Sequence, residues 1–166
     1  MKTGISLPPE MADEIAQILV HLRRATEAEC VLLADISGQL IDAHSRMREV
    51  DPVLVATLAA GDVAAMAELA RQVGEESPRG AVLHEGAHKS IYLVNVAGSF
   101  ILIVVFQAET PVGLVRLMAG RAAERLQALV ARYEEQLAWP QTLPTTNFRT
   151  ALMDELEKAL GELPGR

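Results

Sequence analysis

Residues 51–74, DPVLVATLAAGDVAAMAELARQVG, form the stretch that most limits what this chain can fold into. Both ends of a helix are written into it. Asp51 can accept hydrogen bonds from the free amides of a first turn, and Pro52 suits the first helical position. Gly74 can take the left-handed conformation that closes many helices. Between these ends Val55, Leu58, Met66, Leu69 and Val73 recur at helical spacing as one large apolar stripe. The other side carries Ala56, Ala60, Ala64 and Ala67, with Thr57, Glu68 and Arg71 at its edge. The spacing predicts that the large stripe is buried on the chain's own domain. For the alanine side two readings stand: a solvated face made of a good helix former, or a smooth surface that another backbone can approach.

A chain of 166 residues can bury a substantial core, and with 50% hydrophobic but only 4% aromatic residues that core is aliphatic. The net charge of −7 argues against nucleic acid or an anionic membrane surface as the main partner. The single cysteine, Cys30, opens an apolar run and is expected to be a buried small hydrophobe rather than a nucleophile. It leaves no internal disulfide, which fits a reducing compartment. The start of the chain has no apolar signal core. The most apolar run, Ile91 to Phe106, is interrupted by Asn95, Gly98 and Ser99 and so is not a membrane-spanning helix. We expect a cytoplasmic protein without membrane insertion.

Along the chain, Met11, Ile15, Ile18, Leu19 and Leu22 predict a first amphipathic helix over Glu10 to Thr26. Cys30 to Ala34 and Gln39 to His44 flank the turn Asp35-Ile36-Ser37-Gly38 and read as a hairpin. Ser45 to Val50 is a polar connection into the central helix. Beyond it, Ala81 to Glu85, Ser90 to Ala97 and Phe100 to Gln107 read as three antiparallel strands, with turns at residues 86–89 and 98–99. Thr110 and Pro111 then start a long helix to about Leu137, and the meander leaves Ala81 to Glu85 as an edge strand. The fold class is α+β: about five antiparallel strands with helices on both faces, in the order α-β-β-α-β-β-β-α. Residues 1–137 make this domain. Residues 138–166 make a linker with two prolines, Trp139 to Thr146, and a C-terminal amphipathic helix whose stripe includes Phe148, Leu152 and Leu156.

No phosphate-binding glycine loop, nucleophile motif or dinucleotide fingerprint is present, so no cofactor is expected. His84-Glu85-Gly86-Ala87-His88 matches the His-Glu-x-x-His of zinc proteases, but that chemistry needs both imidazoles one turn apart on a helix. Here the motif joins two strand-like runs and contains Gly86, so a hairpin turn with solvated histidines is the expectation, and no metal. Arg46 and Arg48, ahead of the central helix, have the chemistry of a phosphate-directed finger; as isolated arginines they read first as a solvated loop.

Three segments in this order, Asp35-x-x-Gly38-Gln39-Leu40-Ile41, residues 58–65 (LAAGDVAA) and Gly113-Leu114-Val115-Arg116-Leu117, give the chain its resemblance to the Roadblock/dynein light chain family, over roughly residues 10–137. Within it the chain resembles a bacterial gliding-motility subgroup, and residues 148–156 resemble that subgroup's C-terminal helix. The resemblance implies a homodimer with antiparallel central helices and edge strands joined into one sheet. It implies a partner, the GTP form of a Ras-like small GTPase of polarity or gliding control. It also implies that the protein is no enzyme itself: it stimulates its partner's GTP hydrolysis without donating a catalytic residue. On this basis the alanine side becomes the expected contact surface, through Ala56, Ala60, Ala64, Ala67, Glu68 and Arg71, with Phe148, Leu152 and Leu156 docking separately. The subgroup often has a neutral residue where this chain has Asp62, which falls within the large apolar stripe beside Gly61. Two other functions fit the same residues: a non-catalytic scaffold for a GTPase or cytoskeletal protein, and, more remotely, a small-molecule sensor.

Overall fold

The computed structural model describes residues 7–75 and 80–138. Helix α1 (Pro9–Thr26) forms because Met11, Ile15, Ile18, Leu19 and Leu22 fall on one buried face, and it stops where Glu27 turns left-handed at φ 53°. Strands β1 (Cys30–Asp35) and β2 (Leu40–Ser45) follow as a hairpin. Helix α2 (Pro52–Gln72) begins where expected, the Asp51 carboxylate accepting hydrogen bonds from the amides of Val53 at 2.9 Å and Leu54 at 3.3 Å. The meander is β3 (Ala81–Glu85), β4 (Lys89–Val96) and β5 (Phe100–Gln107), and α3 (Val112–Ala138) closes the described chain.

The five strands form one antiparallel sheet in the order β2-β1-β5-β4-β3. β3 is an edge, as its place at the end of the meander predicts. Alternation along the two central strands builds two cores. Cys30, Leu32 and Ala34 of β1 and Ile101, Ile103 and Val105 of β5 point to α2. On the other face Leu33 and Phe100 meet Met11 and Ile15 of α1 and Leu126 and Leu129 of α3. The sheet is therefore covered by α2 on one side and by α1 and α3 on the other. Cys30 is fully buried, and that burial pushes its thiol pKa up, outweighing a hydrogen bond with Ser45 and the nearby Arg23 charge.

The chain divides into a unit of residues 1–130 and a second of residues 131–166, of which the structure describes only the last turns of α3. The expected linker and C-terminal helix, with Phe148, Leu152 and Leu156, lie outside the described residues.

One expectation about α2 is reversed. The large stripe does not face the sheet: Leu58 is 64% exposed, Leu69 55% and Val73 76%, and Met66 is exposed too. Of that stripe only Val55 packs against the core. The sheet receives Ala56, Ala59 and Ala60 instead. The reason is the distance of approach. Gly38, at φ +91° in the β1–β2 turn, lies so near α2 that a Cβ there would sit 2.9 Å from Thr57 Cα and 3.3 Å from Ala60 Cβ. Leucines on that face would hold the helix off the turn, whereas alanines let it lie down.

Candidate functional site

The outward face of α2 is the candidate. Leu54, Leu58, Leu69 and Val73 stand in solvent along it, in a helix tethered through its alanines. Among the described residues α2 is the one helix long and apolar enough to cross a membrane, but its alanine side is already committed to the sheet. Such a half-used apolar helix fits a protein contact.

Beside the helix runs a groove of about 360 Å³, walled by Val55, Leu58 and Ala59 of α2 and by Val82, Ile91 and Leu93 of β3 and β4. Its polar members are Asp62 and His84, one from each wall. Asp62 is solvent-exposed in the protomer, so its place in the apolar stripe costs little until something covers it. One wall of the groove is β3, the edge strand, whose outer hydrogen-bonding groups have no neighbouring strand among the described residues.

The residues singled out from the sequence are separated by the fold. Ala56 and Ala60 belong to the core and offer no surface to a partner; that part of the expected contact face is corrected. Ala64 and Ala67, further along α2, are exposed. Glu68 and Arg71 are exposed and bind each other: Arg71 donates from Nε to Oε2 at 3.0 Å and from Nη2 to Oε1 at 2.6 Å, and Gln72 donates to Oε1 at 2.7 Å. Arg71, and then Gln72, hold the Glu68 carboxyl below the usual range. A partner meets this pair as a closed fork. The His-Glu-x-x-His segment lies on β3 and the following turn, not on a helix, so its imidazoles do not share a helical face. Spacing alone missed the exposed leucines, having assigned Leu58 and Leu69 to the core. A signal was present: a stripe that contains Gly61 and Asp62 is a poor core face.

The Roadblock/LC7 domain profile matches residues 14–106. The chain belongs to the Roadblock/LC7 family. Among solved structures this Roadblock protein is similar to Myxococcus xanthus MglB, at 34% identity over 77% of this chain and 96% of that one, with a TM-score of 0.71. It is similar also to the gliding protein MglB of Thermus thermophilus, at 25% identity, covering 80% and 99% of the two chains, with a TM-score of 0.70. A third structure, an MglB in a tetrameric arrangement, is 25% identical over 80% of this chain and 98% of its own, with a TM-score of 0.72. Among curated protein sequences none matches.

Proposed function

We propose that this Roadblock protein is a cytoplasmic, homodimeric regulator of a Ras-like small GTPase that controls polarity or gliding motility. It binds the GTP form and promotes hydrolysis by the partner's own residues. The observation that carries the reading is the apolar outer face of α2 beside the free edge of β3, in a chain similar to MglB over most of its length. A second copy, related by a two-fold axis, covers both features at once: its α2 lies against Leu58 and Leu69, and its β3 continues the sheet. One isologous contact thus removes the apolar stripe and the open edge together. The pair of helices then makes a platform, and the flank bearing Ala64, Ala67 and the Glu68–Arg71 fork stays free for the GTPase. Small side chains on that flank permit close backbone approach.

The test is single-turnover GTP hydrolysis by the cognate GTPase, with and without the purified protein. Acceleration that saturates at two or more chains per GTPase supports the reading. Binding without acceleration indicates a scaffold instead. No binding of the GTP-loaded partner refutes both.

A further inference from the structure

A second concavity lies at the other end of the molecule's chemistry and shares no residue with the α2 groove. It is a cleft of about 820 Å³ at the C-terminal end of α1. Its walls are the last turn of α1, the start of β1, the 46–50 segment, the start of β4 and the end of β5. A backbone hydrogen bond from Arg46 N to Glu29 O, at 2.8 Å, fixes the 46–50 segment against β1.

The charges in the cleft are unevenly matched. Glu29 is paired in charge from within: Lys89 Nζ lies 2.7 Å from Oε2, and Gln107 Nε2 donates to Oε1. The buried Oε2 nevertheless makes no directed hydrogen bond among the described residues. What remains is four arginines, Arg23, Arg24, Arg46 and Arg48, against the carboxylates of Glu27 and Glu49. In a chain of net charge −7 this is a local positive basin. Arginines in the last turn of a helix ordinarily offset its carbonyl dipole. Arg23 can serve that role and still keep a donor in hand: its Nη1 is buried with no hydrogen-bond acceptor among the described residues, as Glu29 Oε2 in the same cleft is without a donor. A buried donor of a charged group left without an acceptor is costly, and a ligand oxygen would remove that cost once the guanidinium turns out into the cleft.

We propose that this cleft binds a small molecule carrying a diphosphate group. Arginine's planar fork suits phosphate oxygens better than the point charge of lysine, and four forks around one cleft exceed what a single monovalent anion uses. The volume is that of a small-molecule site rather than of one inorganic ion. Met47 and Val50 supply an apolar wall for the rest of the ligand, and Glu27 and Glu49 supply acceptors for its donor groups. The site makes the Roadblock protein responsive to a soluble phosphorylated compound independently of its partner surface.

Isothermal titration of the full chain with inorganic pyrophosphate, with ADP and with sulfate, all at one ionic strength, tests this. Saturable binding of pyrophosphate or ADP at one site per chain, with sulfate clearly weaker, is expected. Tighter binding of ADP than of pyrophosphate places the nucleoside on the apolar wall; equal binding confines recognition to the phosphates, and both support the site. Arg23→Met and Arg48→Gln are each expected to weaken binding roughly tenfold or more, the loss of one charged hydrogen bond. If Arg23→Met fails to fold by circular dichroism, the double change Arg46→Gln with Arg48→Gln, on an exposed segment, decides. Absence of saturable binding, sulfate binding as well as pyrophosphate, or affinity unmoved by these substitutions overturns the proposal. None of these results touches the GTPase reading, which rests on the other surface.

Discussion

Replacing Leu58 with Ala separates the two possible uses of α2. In the protomer Leu58 is 64% exposed, so about two-thirds of its burial is still to be gained. Full burial of a leucine side chain contributes about 1.5–3 kcal/mol, which leaves roughly 1–2 kcal/mol for an interface and at most about 1 kcal/mol for the protomer itself. An isologous contact uses the residue twice, so dimerisation loses roughly 2–4 kcal/mol. That is on the order of a 30- to 1,000-fold rise in the dimer dissociation constant. The reciprocal substitution, Ala60→Leu, acts on a residue only 7% exposed and wedged between the sheet and Gly38. Overpacking there costs about 1–3 kcal/mol of folding stability. Sedimentation equilibrium from nanomolar to micromolar concentration reads the first effect, and urea unfolding of dilute protein reads the second. If Leu58→Ala left association unchanged but cost the protomer more than about 2 kcal/mol, Leu58 would be core and the face assignment would be wrong.

Gly38→Ala forces a Cβ to 2.9 Å from Thr57 Cα at a backbone φ of +91°, and combined strain and overpacking should lower stability by about 2–5 kcal/mol in urea unfolding. Asp35 supports the same turn. Burial acts to raise its pKa, but hydrogen bonds from Ser37 Oγ at 2.7 Å, the Gln39 amide at 2.8 Å and the Ser37 amide at 2.9 Å outweigh it and hold the carboxyl below its ordinary value. Its stabilisation is therefore complete above the ordinary carboxylate range, and it is lost as pH falls through the depressed folded value; unfolding midpoints of Asp35→Ala and the unaltered chain should converge on acidification. In the segment beyond the described residues, Leu152→Ala with Leu156→Ala should weaken binding to the GTP-loaded partner by roughly 1–3 kcal/mol in calorimetry, with association of the chain unchanged.

Much of this architecture is legible in the sequence because local signals agree with one another. Asp51 and Pro52 fix where α2 begins, and β3 and β5 fall on the strands read from alternation and turns. The long α3 starts at Val112, after Pro111 rather than at it, a small difference of the kind expected at helix ends. The faces of α2 were not legible. Periodicity reports that a helix has two apolar sides; it does not report which side a sheet can accept. That choice depends on Gly38, about one turn of chain and a whole strand away, and no pattern internal to α2 contains it. The basic cleft escaped for a related reason. Arg23, Arg46 and Lys89 are far apart in the chain, and only the pairing of β1 with β5 and β4 with β5 gathers them at one end of the sheet.

The strand order has a consequence for how the molecule is made. The central pairing, from Cys30 with Val105 to Asp35 with Phe100, joins segments that lie on opposite sides of α2 in the chain. The β1–β2 and β4–β5 hairpins close short loops, whereas β1 and β5 must find each other across a long one. By loop-closure entropy the meeting of the two hairpins is the step expected to be slow, and α2 is the segment enclosed by it. A newly synthesised chain cannot complete its sheet until Gln107, the last residue of β5, has left the ribosome; until then the β1–β2 hairpin is a half-sheet with a bare apolar margin where β5 belongs.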